Sequence, residues 1–450
     1  MKGMVTTERP RTAAPDAPRA PEPARRRIPK RVRRRRILIL LLALVVVLSP
    51  VWWSLGSALT NPAMGTSLPA RFAEWARDHG AAPVVRWAEK EWYSHHQPPK
   101  GGKPRAGVIP THTKKAAVAQ ASGPGLAPPA PIVPPVSPPL PGEGAWTPVG
   151  RTVDGVPAMY EAFVRPNAIH TSLLTGIVWM DTKLLRATLY SGNQIPGGGP
   201  YPDTAPIPTS AAQTLVAAFN AGFRYPTADG GYYTDGQTVI PLRTGAASFV
   251  VYKNGSATVG MWGRDVTLTP NVASVRQNLD LLVTGGKPVP GLDRTTNTAW
   301  GATLGGGVAV PRSGLGVTAD GALVYVGGPG LAITTLANLL VRAGAVRAME
   351  LDINQTWVNF ASYAPSTPTG VATPTNGKDL LPQPTMAGTP SRYFQSWWQR
   401  DFVTMSADSS GVAVSPGGSS ASTATGSGTA GQSGTASHRA APGPVHRSKG

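Results

Sequence analysis

Apolar and polar side chains alternate around residue 351. The alternating run is Met349, Glu350, Leu351, Asp352, Ile353 and Asn354. Successive side chains of a β-strand point to opposite faces, so the pattern predicts a strand with one apolar face and one polar face. The polar face would carry Glu350, Asp352 and Asn354, with the two carboxylates roughly 6.6 Å apart along the backbone.

An amphipathic helix is predicted just before this strand. Leu336, Leu339 and Leu340 form an apolar stripe, and Gly344 suits the end of the helix. A strand that follows a buried helix lies deep in a domain, where two carboxylates are costly unless they are paired or used. The pattern is therefore compatible with a functional site. The alternative is a solvent-facing strand edge, which is the commoner fate of an alternating strand.

Residues 146–403 are predicted to form one folded α+β domain with a large mixed β-sheet and few helices. The strand-like runs are Leu184–Tyr190, Leu215–Phe219, Ala247–Tyr252, Leu279–Val283, Gly316–Val317 and Leu323–Val326. The dipeptide Asp320-Gly321 lies between two apolar runs and predicts a hairpin turn. Helical periodicity is clear only at Ile333–Ala343.

The N-terminal region predicts a membrane anchor. Of the net charge of +19, +10 lies in residues 1–60, and a basic cluster at residues 25–36 directly precedes an apolar run. Residues 37–59 are long enough to span a bilayer, and the basic leader 1–36 predicts a cytoplasmic N-terminus. The main domain would then lie outside the plasma membrane. A cleaved signal peptide is the alternative, with Gly56-Ser57-Ala58 as its cleavage site. A nucleic-acid partner is not expected.

Three further segments flank the predicted domain. Residues 60–97 predict a juxtamembrane helical segment with aromatic side chains. Residues 98–145 contain 13 prolines in 48 positions, which predicts a semi-rigid linker. Residues 404–450 are rich in Ser, Gly, Ala and Thr, which predicts a disordered tail.

The composition narrows the chemistry that the domain can use. The chain has no cysteine, which excludes disulfides, thiolate catalysis and Cys-ligated zinc. His170 is the only histidine of the predicted domain, so a histidine-based mechanism is not expected. Asn220 ends an apolar run at a turn, where it could cap the turn or hold a substrate hydroxyl or phosphate. Arg312 offers a fork of donors that suits phosphate, or else forms a surface ion pair.

Several of these motifs together resemble the phosphodiester glycosidase family. The segments that carry the resemblance are Asn220–Phe223, Pro311–Gly321, Leu336–Gly344 and Leu351–Asp352. The family includes the uncovering enzyme, which removes N-acetylglucosamine from a sugar-1-phospho-6-mannose diester. The resemblance implies that Asn220 and Gly222 correspond to the family's Asn-Gly-Gly-Phe turn. It likewise implies that Arg312 corresponds to the arginine of an Arg-x-Ala-x-Gly segment, and Asp352 to the aspartate of an Asp-Gly-Gly-Gly-Ser run.

The resemblance implies an anchored hydrolase that cleaves a sugar-phosphate diester in a bacterial envelope. Asp352 and Glu350 would divide acid, base or metal-ligand duties, while Asn220, Gly222, Arg312 and Asn354 would bind substrate. A divalent cation on Glu350, Asp352 and Asn354 is an open alternative. After Asp352 the chain reads Ile353-Asn354-Gln355 and lacks the family's glycines. The other hypothesis is therefore a non-catalytic member that binds an envelope glycan or a protein.

Overall fold

The protein is described here by a computed structural model of a single chain. The structure describes residues 30–61, 64–65, 67–110, 125–225, 227–294, 300, 308–367, 369–381 and 390–408. Most of the predicted leader and nearly all of the predicted tail therefore lie outside the described residues.

The first helix, α1 (Lys30–Thr60), contains the predicted span. Among the described residues it is the one helix that is long and apolar enough to cross a membrane. Its side chains are almost all exposed, and Trp52 and Trp53 lie in its second half. The helix is compatible with either a membrane anchor or a signal sequence, as the sequence predicts.

Two short helices follow in the juxtamembrane segment. Helix α2 (Leu68–Ala76) begins with Ser67, whose hydroxyl accepts a hydrogen bond from the backbone N–H of Ala70 at 3.3 Å. A kinked π-helical turn (Arg77–Ala81) joins α2 to α3 (Ala82–His95). The kink lets the two helices fold back into a hairpin.

Twenty strands, numbered in chain order, build the remainder of the described domain. An eight-stranded sheet has the spatial order β1 (Thr147–Pro148), β4 (Met159–Val164), β5 (Thr175–Met180), β16 (Leu323–Leu331), β15 (Val310–Thr318), β17 (Ala345–Glu350), β13 (Leu281–Thr284) and β14 (Lys287–Pro288). A five-stranded sheet has the order β11 (Ala257–Met261), β10 (Ala247–Tyr252), β12 (Val272–Gln277), β8 (Tyr232–Thr234) and β9 (Gln237–Ile240). A second five-stranded sheet has the order β19 (Gly377–Asp379), β18 (Phe360–Tyr363), β7 (Leu215–Asn220), β20 (Phe402–Ala407) and β6 (Leu185–Tyr190). A small ribbon pairs β2 (Thr152–Val153) with β3 (Val156–Pro157).

The α+β class with few helices is confirmed, but the described ladders are antiparallel and distributed over several sheets. No parallel ladder joins two named strands; the parallel contacts are isolated bridges outside them. Parallel neighbours need a long crossover connection, whereas most links here are short turns. The helical crossover from β16 to β17 runs over β15, which pairs antiparallel with both strands. The predicted mixed sheet is thus replaced by antiparallel ones.

Helix α5 (Ile333–Arg342) provides that crossover and packs on the eight-stranded sheet. Leu336, Leu339 and Leu340 are buried, as the apolar stripe predicts. Gly344 follows the helix with φ +94°, a left-handed conformation that favours glycine. The segment Gly327-Gly328-Pro329-Gly330, which precedes the helix, lies inside β16 and is part of a strand. A short helix, α4 (Thr209–Ala212), precedes β7.

Both margins of the predicted domain are packed on its core. In the second half of the Pro-rich segment, Ile132 is buried and Glu143 forms an ion pair with Arg165 at 2.8 Å. At the other margin β20 lies between β7 and β6 and continues to Ala407, past the predicted boundary at residue 403. The packed unit therefore includes residues that composition alone assigned to linker and tail, because pairing and burial outweigh local composition.

Candidate functional site

The polar run at residues 350–354 lies where β17 ends, in the middle of the eight-stranded sheet. Pairing with β15 continues one step beyond Glu350, since the N–H of Leu351 donates to Ser313 O and that of Ser313 donates to Asp352 O, both at 2.8 Å. The chain then bends, because the Asp352 carboxylate accepts the N–H of Asn354 at 2.9 Å. The strand thus ends at Glu350, and Asn354 does not continue its polar face.

Each carboxylate of the run is paired with a buried arginine. Asp352 Oδ2 lies 2.6 Å from Arg400 Nη2, and Glu350 Oε1 lies 2.5 Å from Arg312 Nη1. All four side chains are less than a tenth exposed. Buried charges of this kind persist only when they are paired and hydrogen-bonded. The alternative interpretation, a solvent-facing strand edge, is therefore excluded for this strand.

Burial shifts the acidity of both carboxyl groups towards neutrality. Desolvation raises the pKa of Asp352 to about 6, although Arg400 pulls it in the opposite direction, and the negative charge of Glu74 adds to the rise. Desolvation likewise raises the pKa of Glu350 to about 7 against the attraction of Arg312. Groups that titrate near pH 7 in a cleft are suited to proton transfer.

A cleft of about 760 Å³ opens in front of Asp352, between the domain and the α2–α3 hairpin. Arg312, Asp352 and Asn354 line it, so the structure brings these three predicted residues together at one surface. Asn220, Gly222 and Glu350 do not line it and lie behind its floor. Trp357 forms part of the wall and does not fill the cleft.

Asn220 connects the strands beneath the cleft. Its Nδ2 donates to Ser313 Oγ at 3.0 Å, and its Oδ1 accepts the Tyr325 hydroxyl at 3.0 Å. The N–H of Asn359 also donates to this oxygen, at 3.3 Å. Ser313 Oγ in turn accepts the N–H of Asp352 at 3.2 Å. Asn220 therefore holds the backbone of Asp352 in place through Ser313, on the side away from the cleft.

Gly222 allows a third buried arginine, Arg276, to approach the same floor. A methyl group added at Gly222 would lie 3.0 Å from the guanidinium carbon of Arg276 and 3.1 Å from Asn278 Oδ1. The carbonyl of Gly222 also accepts a hydrogen bond from Arg400 Nη2 at 3.0 Å. A glycine thus avoids crowding of Arg276 and Asn278 here, and its carbonyl accepts a hydrogen bond from the arginine that pairs with Asp352.

Several site residues are not identified by sequence patterns. Arg400 stacks on the Trp357 ring with its guanidinium carbon 4.5 Å from the centroid. Asp401 pairs with Arg276 at 2.5 Å, and Asn278 Nδ2 donates to the carbonyl of Glu350 at 2.8 Å. The one available signal is the position of charged residues directly beside apolar strands, as at Arg400-Asp401. That signal does not say which carboxylate each arginine meets.

The α2–α3 hairpin supplies the opposite wall, which sequence analysis assigned to a separate segment. Glu74 of α2 lies 2.7 Å from Arg224 of the domain and 2.6 Å from Arg77. Arg224 also pairs with Asp78. These ion pairs attach the hairpin to the domain beside Asp352.

The donor set at residues 350–354 does not fit a divalent cation. Both carboxylates are held by arginines, whose charges repel a cation, and Asn354 Oδ1 accepts the N–H of Thr356 at 2.9 Å. In the described ranges there is also no group of three or more His, Cys, Asp or Glu that could hold a metal ion. The arrangement instead places positive charge beside a basic carboxylate, which suits an anionic substrate.

The described domain is an antiparallel α+β fold with a cleft lined by Asp352, Arg312 and Arg400. Within this domain, residues 213–352 match the model of the phosphodiester glycosidase family, which confirms the resemblance predicted from sequence. The match ends at Asp352 and does not include Arg400 or the α2–α3 hairpin.

Solved structures with similarity to the chain are only distantly related. The crystal structure of a hypothetical protein from Synechocystis is 12% identical with a TM-score of 0.29, and the match covers 58% of this chain and 64% of that one. This chain thus spans less than two thirds of that protein. A putative exported protein from Burkholderia pseudomallei is 13% identical with a TM-score of 0.28, over 52% of this chain and 74% of that one. No curated protein matches the chain.

Proposed function

We propose that the protein is a membrane-anchored hydrolase that cleaves a sugar-phosphate diester. The observation that carries this proposal is the open cleft whose floor presents Asp352 beside Arg312 and Arg400, within and next to the region that matches the phosphodiester glycosidase family. An anionic diester would be attracted to the parts of the two guanidinium groups that border the cleft. A sugar on one side of the phosphate would then lie near Asp352.

The proposed reaction is hydrolysis at the anomeric carbon. Asp352, largely ionised at pH 7 but more basic than an ordinary aspartate, takes a proton from water. The water oxygen bonds to the anomeric carbon as the bond from that carbon to the phosphate oxygen breaks. The electron pair passes to the phosphate, which leaves as a monoester held by Arg312 and Arg400. The sugar is released with a free anomeric hydroxyl.

Glu350 takes a supporting role in this scheme. It is fully buried and does not line the cleft, but it holds Arg312, whose Nε also donates to the carbonyl of Leu331 at 2.8 Å. Its closeness to Asp352 contributes to its own raised pKa. We therefore assign Glu350 to positioning Arg312, and Asn220 and Gly222 to supporting the floor, in place of direct substrate contact.

The alternative is a protein of the same fold that binds a glycan or a partner protein without turnover. It is favoured by the pairing of both carboxylates with arginine and by Ile353-Asn354-Gln355 in place of a glycine run. Side chains at these positions hinder the approach of a sugar phosphate to the backbone. Ligand binding at the cleft without product release would support this alternative.

Hydrolysis is tested on the full chain purified in detergent. The probe is the methyl diester of N-acetylglucosamine 1-phosphate, and the measurement is release of N-acetylglucosamine with and without a chelator. Release in both conditions supports the proposed hydrolase. Saturable binding of the probe with no release contradicts it and supports the binding protein.

We further propose that the main domain lies outside the plasma membrane, with the N-terminus in the cytoplasm. The support is the basic cluster before the apolar part of α1. A protease added to intact cells should then degrade the domain. Protection of the domain until the cells are lysed would contradict this orientation.

A further inference from the structure

The wall of the cleft opposite Asp352 is formed by helices that contact the proposed membrane helix. Arg71 of α2 donates from Nη1 to the carbonyl of Leu59 at 2.7 Å, and Trp75 Nε1 donates to Ser54 Oγ at 3.0 Å. Ser54 directly follows Trp53, whose side chain is 82% exposed. Tryptophan is typical of the membrane–water interface, so α2 lies at the level where α1 would leave the bilayer.

Both helices of this wall are amphipathic, with their charged faces towards the cleft and their apolar faces away from it. Their charged faces line the cleft, with Arg86, Glu89 and Lys90 spaced by three and four residues on α3. Their other faces carry exposed apolar side chains, including Phe72 on α2 (50% exposed) and Trp87 on α3 (64% exposed). Leu68 and Val84 extend the same surface, each at least 60% exposed.

Nothing in the described part of the chain covers this apolar surface. It is continuous along the chain with α1, whose apolar side chains are also exposed, and the two are joined by the hydrogen bonds of Arg71 and Trp75. The contacts Arg71–Leu59 and Trp75–Ser54 make α2 antiparallel to the end of α1, so its apolar face lies beside the residues that follow Trp53, at the level of the headgroup region. A bilayer that holds α1 would therefore be in position to bury Phe72 and Trp87.

Two cationic side chains of the cleft form no ion pair with any residue that the structure describes. Arg86 and Lys90 line the cleft, and among the described residues neither forms an ion pair. Both side chains are exposed. Cationic groups at the rim of a cleft attract anionic ligands. Arg86, Lys90 and Arg312 line the same cleft, so all three would attract the phosphate of a headgroup that enters it.

From these observations we propose that the substrate of the cleft is a membrane-borne sugar-phosphate diester, whose lipid chain stays in the bilayer that receives Phe72 and Trp87. This inference rests on the proposed function and narrows its substrate class. Hydrolysis would release the sugar into solution and leave a lipid phosphate monoester in the membrane. Enzyme and substrate held in one bilayer meet at a raised effective concentration, which would favour the lipid diester over a soluble one.

The test compares two probes with the same headgroup. Full-length protein is reconstituted in vesicles of phosphatidylcholine and phosphatidylglycerol. One probe is the hexadecyl diester of N-acetylglucosamine 1-phosphate in those vesicles, and the other is the methyl diester in solution at the same bulk concentration. We expect hydrolysis of the hexadecyl diester to be at least about tenfold faster. The Phe72→Gln/Trp87→Gln double variant should lose most of this ratio while it keeps the methyl diester rate.

A matched control carries the same kind of change elsewhere. Leu268, 49% exposed on the loop after β11, is replaced by Gln and should leave the ratio unchanged. Melting temperatures of all variants show whether they fold. Equal rates for the two probes, or a ratio unaffected by the double variant, would overturn the membrane-borne substrate and leave the proposed hydrolase standing. Cleavage of neither probe would overturn both.

Discussion

The Asp352→Asn substitution separates the chemical role of this carboxylate from its role as a partner of Arg400. Asparagine keeps the size of the side chain and can still accept the N–H of Asn354, but it cannot take a proton from water. If Asp352 is the base, hydrolysis should fall at least about 100-fold, the usual contribution of general acid–base catalysis. The assay is release of N-acetylglucosamine from the methyl diester by the full chain.

The effect on stability follows from the environment of the pair. The raised pKa already includes the attraction of Arg400, so folding makes the ionised carboxylate less favourable than it is in the unfolded chain, although it stays the main form at pH 7. A rise from 3.8 to about 6 corresponds to at most about 3 kcal/mol at pH 7. Breaking a buried ion pair usually costs about 3–5 kcal/mol, because the remaining charge is left uncompensated. In the Asp352→Asn variant, however, Arg400 would still donate a hydrogen bond to the carbonyl of Gly222 and would still stack on the ring of Trp357.

We therefore expect the melting temperature of Asp352→Asn at pH 7 to be unchanged or higher. The raised pKa of Asp352 also predicts how the stability of the wild-type protein depends on pH. A carboxyl group whose pKa is raised on folding binds more protons in the native state, so wild-type stability rises as pH falls from about 6 towards 3.8. The variant lacks this gain, so any advantage it has at pH 7 should disappear near pH 4.

The matched control is Asp154→Asn, at an exposed turn outside the cleft. It should change neither activity nor pH dependence. A fall in melting temperature of more than about 6 °C for Asp352→Asn would show that the ion pair with Arg400 is structural and net stabilising. Wild-type activity with wild-type stability would refute both roles.

Three other substitutions or truncations test the surroundings of the site. Glu350→Gln should raise KM about tenfold with little change in kcat, since it loosens Arg312, the arginine proposed to hold phosphate. An equal loss in kcat would give Glu350 a direct chemical role. Gly222→Ala should lower stability by about 1–3 kcal/mol in chemical unfolding, because its methyl group would crowd Arg276. A chain that ends at residue 403 should lose its cooperative melting transition, whereas one that ends at residue 408 should keep it, because β20 pairs with two strands.

Local patterns in the sequence determined the elements of this protein and the position of its central acid. The apolar stripe of α5, the glycine after it and the Asp320-Gly321 hairpin turn all follow from short-range rules, and the structure contains them. The apolar run in α1 and the motifs of the phosphodiester glycosidase family are likewise read along the chain. These features depend on neighbours only a few residues away, so sequence periodicity and turn chemistry are sufficient to find them.

The tertiary structure alone decided which groups surround Asp352. The sequence suggested phosphate binding or a surface ion pair for Arg312, whereas the fold pairs Arg312 with the buried Glu350 and pairs Asp352 with Arg400. The structure also places Asn220 in the hydrogen-bonded layer beneath the cleft and not at the surface predicted to bind substrate. The juxtamembrane helices form the opposite wall of the cleft. These contacts join residues far apart in the chain. They depend on sheet order and on the packing of a separate helical hairpin, which no local pattern of side chains encodes.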